Sequence, residues 1–582
     1  MFFDDSALRD ISWQGFERLV FRLLNLRGFS GVRQVGQSSD GGADVIGHRG
    51  GKRWLFQVKK WNRPASTDTV DQTLAALRLY RAEVPVVVSM GGFTREALGQ
   101  RRILLSEGIP LQLWDRRKLL EMAATLPTVS PSESSADRYE RRPYQENAIE
   151  MVTNGLLHGP ARRALVVLAT GLGKTYVAAE SIRRARMQRS LRVLAIAHTN
   201  PLVYQLERAF WPTLTPREST LIWNGLEHPP SEQLDRADNV FACIDSLHAA
   251  VEKGWDLAPF DVVLVDECHH AGAVMYQRVL RELTAGAATG PFLLGLTATP
   301  WRPDGANIED TFGEPLVTVD LVTGLRRGFL AEVDYRMYTD NVDWKRLSQL
   351  SGKKLSPKSI NRTLFIHEWD DAVVDSLQAA WGEQASPRAI VFCGNIDHAL
   401  RMRDRINALG FTSAEAIYSG SSSVRAQTPW ERNRVLSDFE AGDVGVICTV
   451  DIFNEGVDVP DVNIIVFQRV THSRRIFIQQ LGRGLRLSPG KRRAIVLDFV
   501  SDIRRFAAGL ELKDDLEKSV TAKSDDTVIR LNNRVKFLRS TGEDPLSESF
   551  LREWLEDVAE VERAGEDASL LKFPPEFPSS VR

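Results

Sequence analysis

Leu168-Ala169-Thr170-Gly171-Leu172-Gly173-Lys174-Thr175 is the stretch that decides the fold. An apolar run, Ala164 to Leu168, leads into it. A helical pattern follows from Tyr176 to Ala185, with Val177, Ala178 and Ile182 on one face. Strand, glycine loop and helix in that order suit a triphosphate. Glycines let backbone N–H groups close around phosphate oxygens, and a helix N-terminus turns its partial positive charge toward them. Thr170, Gly171 and Gly173 shape the loop, Lys174 is expected to reach the β/γ-phosphates, and the Thr175 hydroxyl is expected to ligate Mg²⁺. Leu168 stands where the strict G-x-x-x-x-G-K-[ST] pattern has glycine.

A second anchor lies about 90 residues on. Asp261-Val262-Val263-Leu264-Val265-Asp266-Glu267-Cys268-His269-His270 reads as a buried strand with an acidic pair at its C-terminal end, where open parallel sheets bind ligands. Asp266 is expected to hold Mg²⁺ together with Thr175, and Glu267 to position the attacking water. Around these lie Arg142-Pro143-Tyr144-Gln145, the strand Leu191 to Ala197 ending in His198-Thr199-Asn200-Pro201, and Ala242-Cys243-Ile244-Asp245-Ser246. Gly295-Leu296-Thr297-Ala298-Thr299-Pro300-Trp301-Arg302 follows. A second α/β unit begins near residue 330, with apolar strands at Ala389, Val444 and Ile464. Asn454-Glu455-Gly456-Val457-Asp458 and Gln479-Gln480-Leu481-Gly482-Arg483-Gly484-Leu485-Arg486 belong to it.

In order and content these stretches resemble the motifs of superfamily 2 helicases, in the branch of type III restriction enzymes and bacterial repair helicases. The resemblance covers about residues 139–500. It implies two RecA-like domains, with Gln145 reading adenine, Tyr144 beside it, and His269, Thr297 and Thr299 coupling hydrolysis to strand binding. Asp458 is implied in the nucleotide cleft. Arg483 and Arg486, spaced i, i+3, are implied as arginine fingers that neutralise transition-state charge.

The chain begins with a different module. Ser12 to Leu24 reads as a helix with Ser12 as N-cap and Trp13, Phe16, Val20, Leu23 and Leu24 on an apolar stripe, on which Glu17 also falls. Asp40-Gly41-Gly42-Ala43-Asp44 is a turn into a short strand. Arg53 to Lys60 alternates, placing Leu55, Gln57 and Lys59 on one face and Trp54, Phe56 and Val58 on the other. An Asp on one strand and a polar-x-Lys on its neighbour can hold a metal and a cation beside one phosphate. These residues resemble the PD-(D/E)xK nuclease superfamily, and within it the Mrr-type branch, over roughly residues 11–122. The resemblance implies Asp44 and Glu17 as metal ligands and Lys59 as the catalytic lysine. It puts Gln57 at a position that is acidic in most relatives.

Bulk properties agree. A chain of 582 residues suggests about three to five domains. The expected layout is a nuclease domain at 1–125, a Pro- and Ser-rich linker at 126–138, and RecA-like domains at 139–328 and 329–505. A charged, helical C-terminal region would fill 506–582. The fold class is therefore α/β: a restriction-endonuclease-like domain, two tandem parallel-sheet domains and a helical tail. Net charge is −2, yet it is segregated. Residues 1–125 hold nineteen Lys/Arg against thirteen Asp/Glu, a net of +6, and residues 506–582 hold eleven against seventeen, a net of −6. A basic front suits nucleic acid. The four cysteines, Cys243, Cys268, Cys393 and Cys448, are dispersed, which argues against a zinc site or a disulfide framework. There is no signal-peptide pattern and no apolar run long enough to span a membrane, so a cytoplasmic location is expected.

The sequence thus points to an ATP-driven DNA helicase or translocase with a Mg²⁺-dependent endonuclease, in restriction or anti-phage defence. DNA is the expected partner. With no N-P-P-Y-type motif in the chain, methyltransferase or other defence subunits are candidate partners, unless modified DNA is the target. A repair helicase whose nuclease trims ends, and a DNA-stimulated ATPase with a non-cleaving clamp or signalling module, are the alternatives. A flexible linker would leave the nuclease free to move on the motor.

Overall fold

The computed structural model describes residues 5–35, 43–126, 141–254, 259–284, 290–298, 308–338, 354–355, 370–418, 425–450, 462–468, 485–487, 491, 493–499, 534–539, 542–543 and 571–572. The chain divides into two compact units. One comprises Met1–Val167, Gly173–Thr318 and Gln427–Ser437; the other comprises Leu168–Leu172, Val319–Ala426 and Asp438–Arg582.

The first sheet of the first unit has β1 (Ser30–Gln34), β2 (Val45–Arg49), β3 (Lys52–Lys59), β4 (Val84–Ser89) and β5 (Gln112–Asp115), in that spatial order. β1, β2 and β3 pair antiparallel, and β3, β4 and β5 parallel. Helices Trp13–Leu26 and Thr67–Tyr80 pack on β3. The Ser12 hydroxyl caps the first of these by accepting from the Gly15 N–H at 3.0 Å. Two expectations change. Trp13, placed on the core stripe by its spacing, is 49% exposed, because the stripe's burial starts one turn later at Phe16. β3 is the middle strand and is covered on both faces, so Leu55, Phe56, Gln57 and Val58 are all buried despite their alternation.

The second sheet has β6 (Arg163–Leu168), β7 (Val193–Ala197), β8 (Thr220–Trp223), β9 (Asn239–Cys243), β10 (Val262–Val265), β11 (Phe292–Thr297) and β12 (Pro315–Val319). Their spatial order is β12-β6-β11-β10-β7-β9-β8. From β6 through β8 every junction is parallel. Continuous apolar runs suit strands buried on both faces. Leu165, Val167, Leu194, Ile196, Val263 and Val265 share one core with Phe312.

Within this unit the Trp13–Leu26 helix also packs on the Asn200–Phe210 helix and the segment after it. Phe21 meets Trp211 edge-on at 5.2 Å, and the Arg208 guanidinium lies 5.0 Å from the Phe21 ring. Arg18 and Arg22 are buried there. The linker expectation of a freely moving nuclease therefore meets a dry, ion-paired contact. The linker residues 127–138 themselves lie outside the described residues.

The second unit holds β13 (Glu332–Tyr338), β14 (Lys354–Leu355), β15 (Ala389–Phe392), β16 (Ala414–Ile417), β17 (Val446–Thr449), β18 (Ile464–Phe467), β19 (Arg493–Phe499), β20 (Arg534–Arg539), β21 (Gly542–Glu543) and β22 (Leu571–Lys572). Eight form one sheet in the order β16-β17-β15-β18-β19-β13-β20-β21, and β14 pairs with β22. β20 runs parallel to β13, so the sheet takes in residues of the stretch read as a helical tail. Val535 and Phe537 alternate with Lys536 there, a period of two. All four cysteines are buried.

Candidate functional sites

In the seven-stranded sheet, β6, β11, β10 and β7 are successive neighbours running the same way. Their C-terminal ends therefore share one edge. β6 ends in the glycine loop, β11 in Thr297, β10 in Asp266-Glu267 and β7 in His198. Gly171 and Gly173 have φ of 90° and 87°, conformations that side chains disfavour. A Cβ on Gly173 would also lie 2.8 Å from the Gln145 amide nitrogen, so the glycine gives Gln145 its place against the loop. The Gln145 carbonyl oxygen accepts from the Arg142 N–H at 3.1 Å, which fixes the side chain at its helix start. Tyr144 is buried beside it, with its hydroxyl accepting from Arg142 at 3.3 Å.

The Lys174 ammonium lies 3.5 Å from the Glu267 carboxylate. His269 Nδ1 is 3.1 Å from the Thr297 hydroxyl and 3.3 Å from Glu267. Burial alone would raise the Glu267 pKa, but Lys174 and His269 overcome it and hold Glu267 ionised. Asp266, desolvated beside that fixed negative charge, is pushed up to about 6. Glu267 has a left-handed backbone, φ 47°, which costs a β-carbon residue about 1–3 kcal/mol. The side chains around it determine that position. The Thr170 hydroxyl is buried with no hydrogen-bond partner among the described residues. An orphaned donor, a cradle of left-handed glycines and a lysine fit a polyphosphate. Asp266, short of a cation, and Thr175 at the first turn of the Lys174–Arg186 helix fit its magnesium.

The second cluster lies on the five-stranded sheet. The register Val45↔Phe56 sets Asp44 beside Gln57, and Asp44 Oδ2 accepts from the Val58 N–H at 2.6 Å. The Lys59 ammonium is 4.0 Å from the same oxygen. Glu17 reaches in from the Trp13–Leu26 helix and accepts from the Gln34 amide at 3.1 Å. Its carboxyl is pushed up to about 8, first by burial and then by the charge of Asp44, against a weaker pull from Lys59. Gln57 is 1% exposed. Its amide nitrogen donates to the Thr69 carbonyl at 2.8 Å and to the Thr73 hydroxyl, turning its oxygen to Lys59 Nζ at 3.3 Å. Two carboxylates, one of them retaining its proton because of the other, and an amide oxygen fit a divalent cation. Among the described residues no group of three or more His, Cys, Asp or Glu side chains is gathered for a metal, in keeping with the neutral Gln57.

Trp61, which the sequence reading passed over, sits two residues past Lys59. Its ring lies 5.7 Å from the Lys59 ammonium and 5.0 Å from the Arg63 guanidinium. The turn that carries it approaches Gly91 so closely that a Cβ there would meet the Arg63 carbonyl. An aromatic between cations, next to a candidate lysine, was the available signal.

In the second unit Arg486 is half-buried just after Leu485, whose carbonyl accepts from the Ala331 N–H at 2.8 Å. Asp40, Thr299, Asp458 and Arg483 lie outside the described residues. Among those described, no helix is long and apolar enough to cross a membrane.

Comparison with known families matches three segments in order. Residues 8–123 match a restriction endonuclease family (Mrr_cat), residues 138–302 the res subunit of type III restriction enzymes, and residues 371–488 the helicase conserved C-terminal domain. The endonuclease subunit of the type I restriction enzyme EcoAI from Escherichia coli is 26% identical over 83% of this chain and 62% of its own length. The DNA 3'-5' translocase XPB2 of Sulfurisphaera tokodaii is 26% identical over 60% of this chain and 79% of its own. Among solved structures, an ATP-dependent type ISP restriction-modification enzyme, LlaBIII, bound to DNA covers 94% of this chain and 41% of its own. It does so at 15% identity with a TM-score of 0.50, a likeness of fold. The chain spans about half to three-fifths of the length of the first curated relatives it matches, at 58%, 62% and 51%.

Proposed function

The chain is a superfamily 2 helicase joined to an N-terminal Mrr-type restriction-endonuclease domain, and we propose that it is an ATP-driven DNA translocase that cuts DNA in restriction or anti-phage defence. The observation that carries this reading is the presence of two separate lysine–carboxylate sites on two sheets of one chain. Lys174 with Glu267 and Asp266 serves ATP; Lys59 with Asp44 and Glu17 serves the phosphodiester. The layout that goes with it is a nuclease at 1–125, a linker at 126–138, motor domains at 139–328 and 329–505, and a C-terminal region at 506–582.

In the motor, Gln145 reads the adenine edge while Thr170, Gly171 and Gly173 offer donors to the phosphates and Lys174 spans the β/γ oxygens. Glu267, kept ionised, orients water for in-line attack. The Thr297–His269 bond carries the state of that carboxylate to a neighbouring strand end. Thr175 and Asp266 would hold Mg²⁺, which supplies charge neutralisation at the phosphates. Arg483, Arg486 and Asp458 complete the cleft in this reading.

In the nuclease, Glu17, Asp44 and the Gln57 oxygen would hold Mg²⁺, which polarises the phosphodiester and acidifies water. Lys59, on the same strand face as Gln57, stabilises charge on the phosphate. DNA is the substrate, and a methyltransferase or other defence subunit supplies self-protection. A second reading, a clamp that binds without cutting, draws on the neutral Gln57 tied to Thr69. The test is incubation of modified and unmodified plasmid with Mg²⁺, with and without ATP, reading phosphate release and strand breaks together. DNA-stimulated ATP hydrolysis with breaks is expected. Hydrolysis with no breaks on any DNA would leave the clamp.

A further inference from the structure

Charged groups rarely enter an interface between modules unless the interface is specific. The contact between the nuclease helix and the first motor sheet buries several. Arg18 is 8% exposed. Its Nε lies 3.3 Å from Glu207, and its Nη1 donates to Glu227. Both acids are buried and held by their own module before Arg18 arrives. Glu207 accepts from the Thr220 hydroxyl at 2.6 Å, and Glu227 from the Tyr204 hydroxyl at 3.1 Å. The turn of Glu227 is itself pinned by Asn224, whose side-chain oxygen takes the Glu227 N–H at 2.9 Å. One helical turn further, Arg22 donates to the carbonyls of Thr215 and Glu218, each at 3.2 Å. One turn earlier, the Gln14 amide donates to the Leu226 carbonyl at 3.3 Å. Gln14, Arg18 and Arg22 are spaced i, i+4, i+8, a single face.

The residue before Arg18 is Glu17, whose side chain enters the nuclease cluster. On the motor side, Glu207 belongs to the Asn200–Phe210 helix, which starts at the end of β7 beside His198. One helix thus carries a nuclease residue on one face and a motor socket on the next. We propose that the nuclease is built onto the first motor domain as one rigid body, with Arg18 as the positioning residue that fixes Glu17, so that cutting occurs in the motor's own frame. This rests on the functional reading above. It goes further in saying that the nuclease does not leave the motor in order to cut, and that the break falls at a fixed offset from the translocating strand.

The experiment uses the full chain with Gln14→Cys and Leu226→Cys, joined through a short bis-methanethiosulfonate that a reductant releases. The four natural thiols are buried and do not compete. Cross-linking is expected to proceed to the same extent without nucleotide, with ADP, and with ATP and DNA. ATP hydrolysis and cleavage are expected to be the same in the linked and released protein. Cleavage that stops on linking and returns with reductant would overturn the proposal, as would a cross-link that forms in one nucleotide state alone. Arg18→Met is expected to slow cross-linking at least ~10-fold, because Glu207 and Glu227 are left buried and unpaired. It should lower cleavage about 100-fold through misplacement of Glu17, with ATP hydrolysis unchanged. The half-saturating Mg²⁺ for cleavage should rise with it, which general loosening would not cause. Arg18→Met combined with Glu207→Gln and Glu227→Gln removes the stranded charges and should restore cross-linking. A chain that cross-links as expected yet never cuts would leave docking standing and remove the nuclease reading. The two failures are therefore distinguishable.

Discussion

The two candidate sites solve one electrostatic problem in different ways. Each gathers two carboxylates and a lysine at the end of a buried strand. In the motor, Lys174 sits 3.5 Å from Glu267, and the pair leaves Asp266 as the group that retains its proton, up to about 6. In the nuclease, Lys59 stands 4.0 Å from Asp44, its third neighbour Gln57 is neutral, and Glu17 retains its proton up to about 8. The motor site is assembled from neighbouring strand ends of one sheet, whereas the nuclease site needs a helix brought in from outside its sheet. The lesson is that the motor's site comes with its sheet, while the nuclease's depends on where the Trp13–Leu26 helix is held. Arg18 holds that helix on the motor side.

The sharpest way to break this comparison is at the two lysines. Lys174→Ala should reduce ATP hydrolysis roughly 10³-fold, since a donor aimed at developing charge in a buried site is worth two to three orders of magnitude. Phosphate release checks it, and retained hydrolysis would mean that Lys174 is structural. Lys59→Ala should reduce strand cleavage ~10²–10³-fold and leave hydrolysis alone. Loss of both activities would show that the two sites are not chemically separate.

Gln57→Glu asks whether the neutral residue is what sets the nuclease apart. A third carboxylate beside Glu17 and Asp44 should lower the Mg²⁺ needed for cleavage. It should also cost about 1–3 kcal/mol of stability, because the Thr69 carbonyl loses its buried donor. Metal titration and urea unfolding read the two effects, and an unchanged Mg²⁺ requirement would take Gln57 out of the site. The smallest expected effect belongs to Gln145→Ala. The apparent KM for ATP should rise, with discrimination against GTP falling about 10–100-fold and kcat little changed, because a polar edge reader contributes to binding alone.

Much of the motor could be read from the sequence because its chemistry is local. The glycine loop, the acidic pair after β10 and Thr297 each sit at the end of an apolar run, and parallel order brings such ends together. The nuclease was legible in its residue types and less so in its geometry. Alternation along β3 suggested one wet face, but a middle strand under two helices has none, and Gln57 is buried as a result. Trp13 looked like core by spacing and lies half in solvent, since periodicity locates a stripe and not where its cover begins. Arg18 and Arg22 read as ordinary helix charge. Their partners are about 190 to 210 positions away, a separation that no local pattern encodes. A Pro- and Ser-rich linker suggested freedom, yet a linker's composition sets its own stiffness and says nothing of what its ends bury.

The central claim is that one chain couples ATP hydrolysis at Lys174 to DNA cutting at Lys59. The most direct measurement follows strand breaks and phosphate release in the same reaction, for the native chain, Lys174→Ala and Lys59→Ala, with Mg²⁺ and with or without ATP. The account predicts ATP-dependent breaks in the native chain alone, with hydrolysis intact in Lys59→Ala and absent in Lys174→Ala. Breaks that persist in Lys59→Ala, or that proceed in Lys174→Ala as fast as in the native chain, would contradict it.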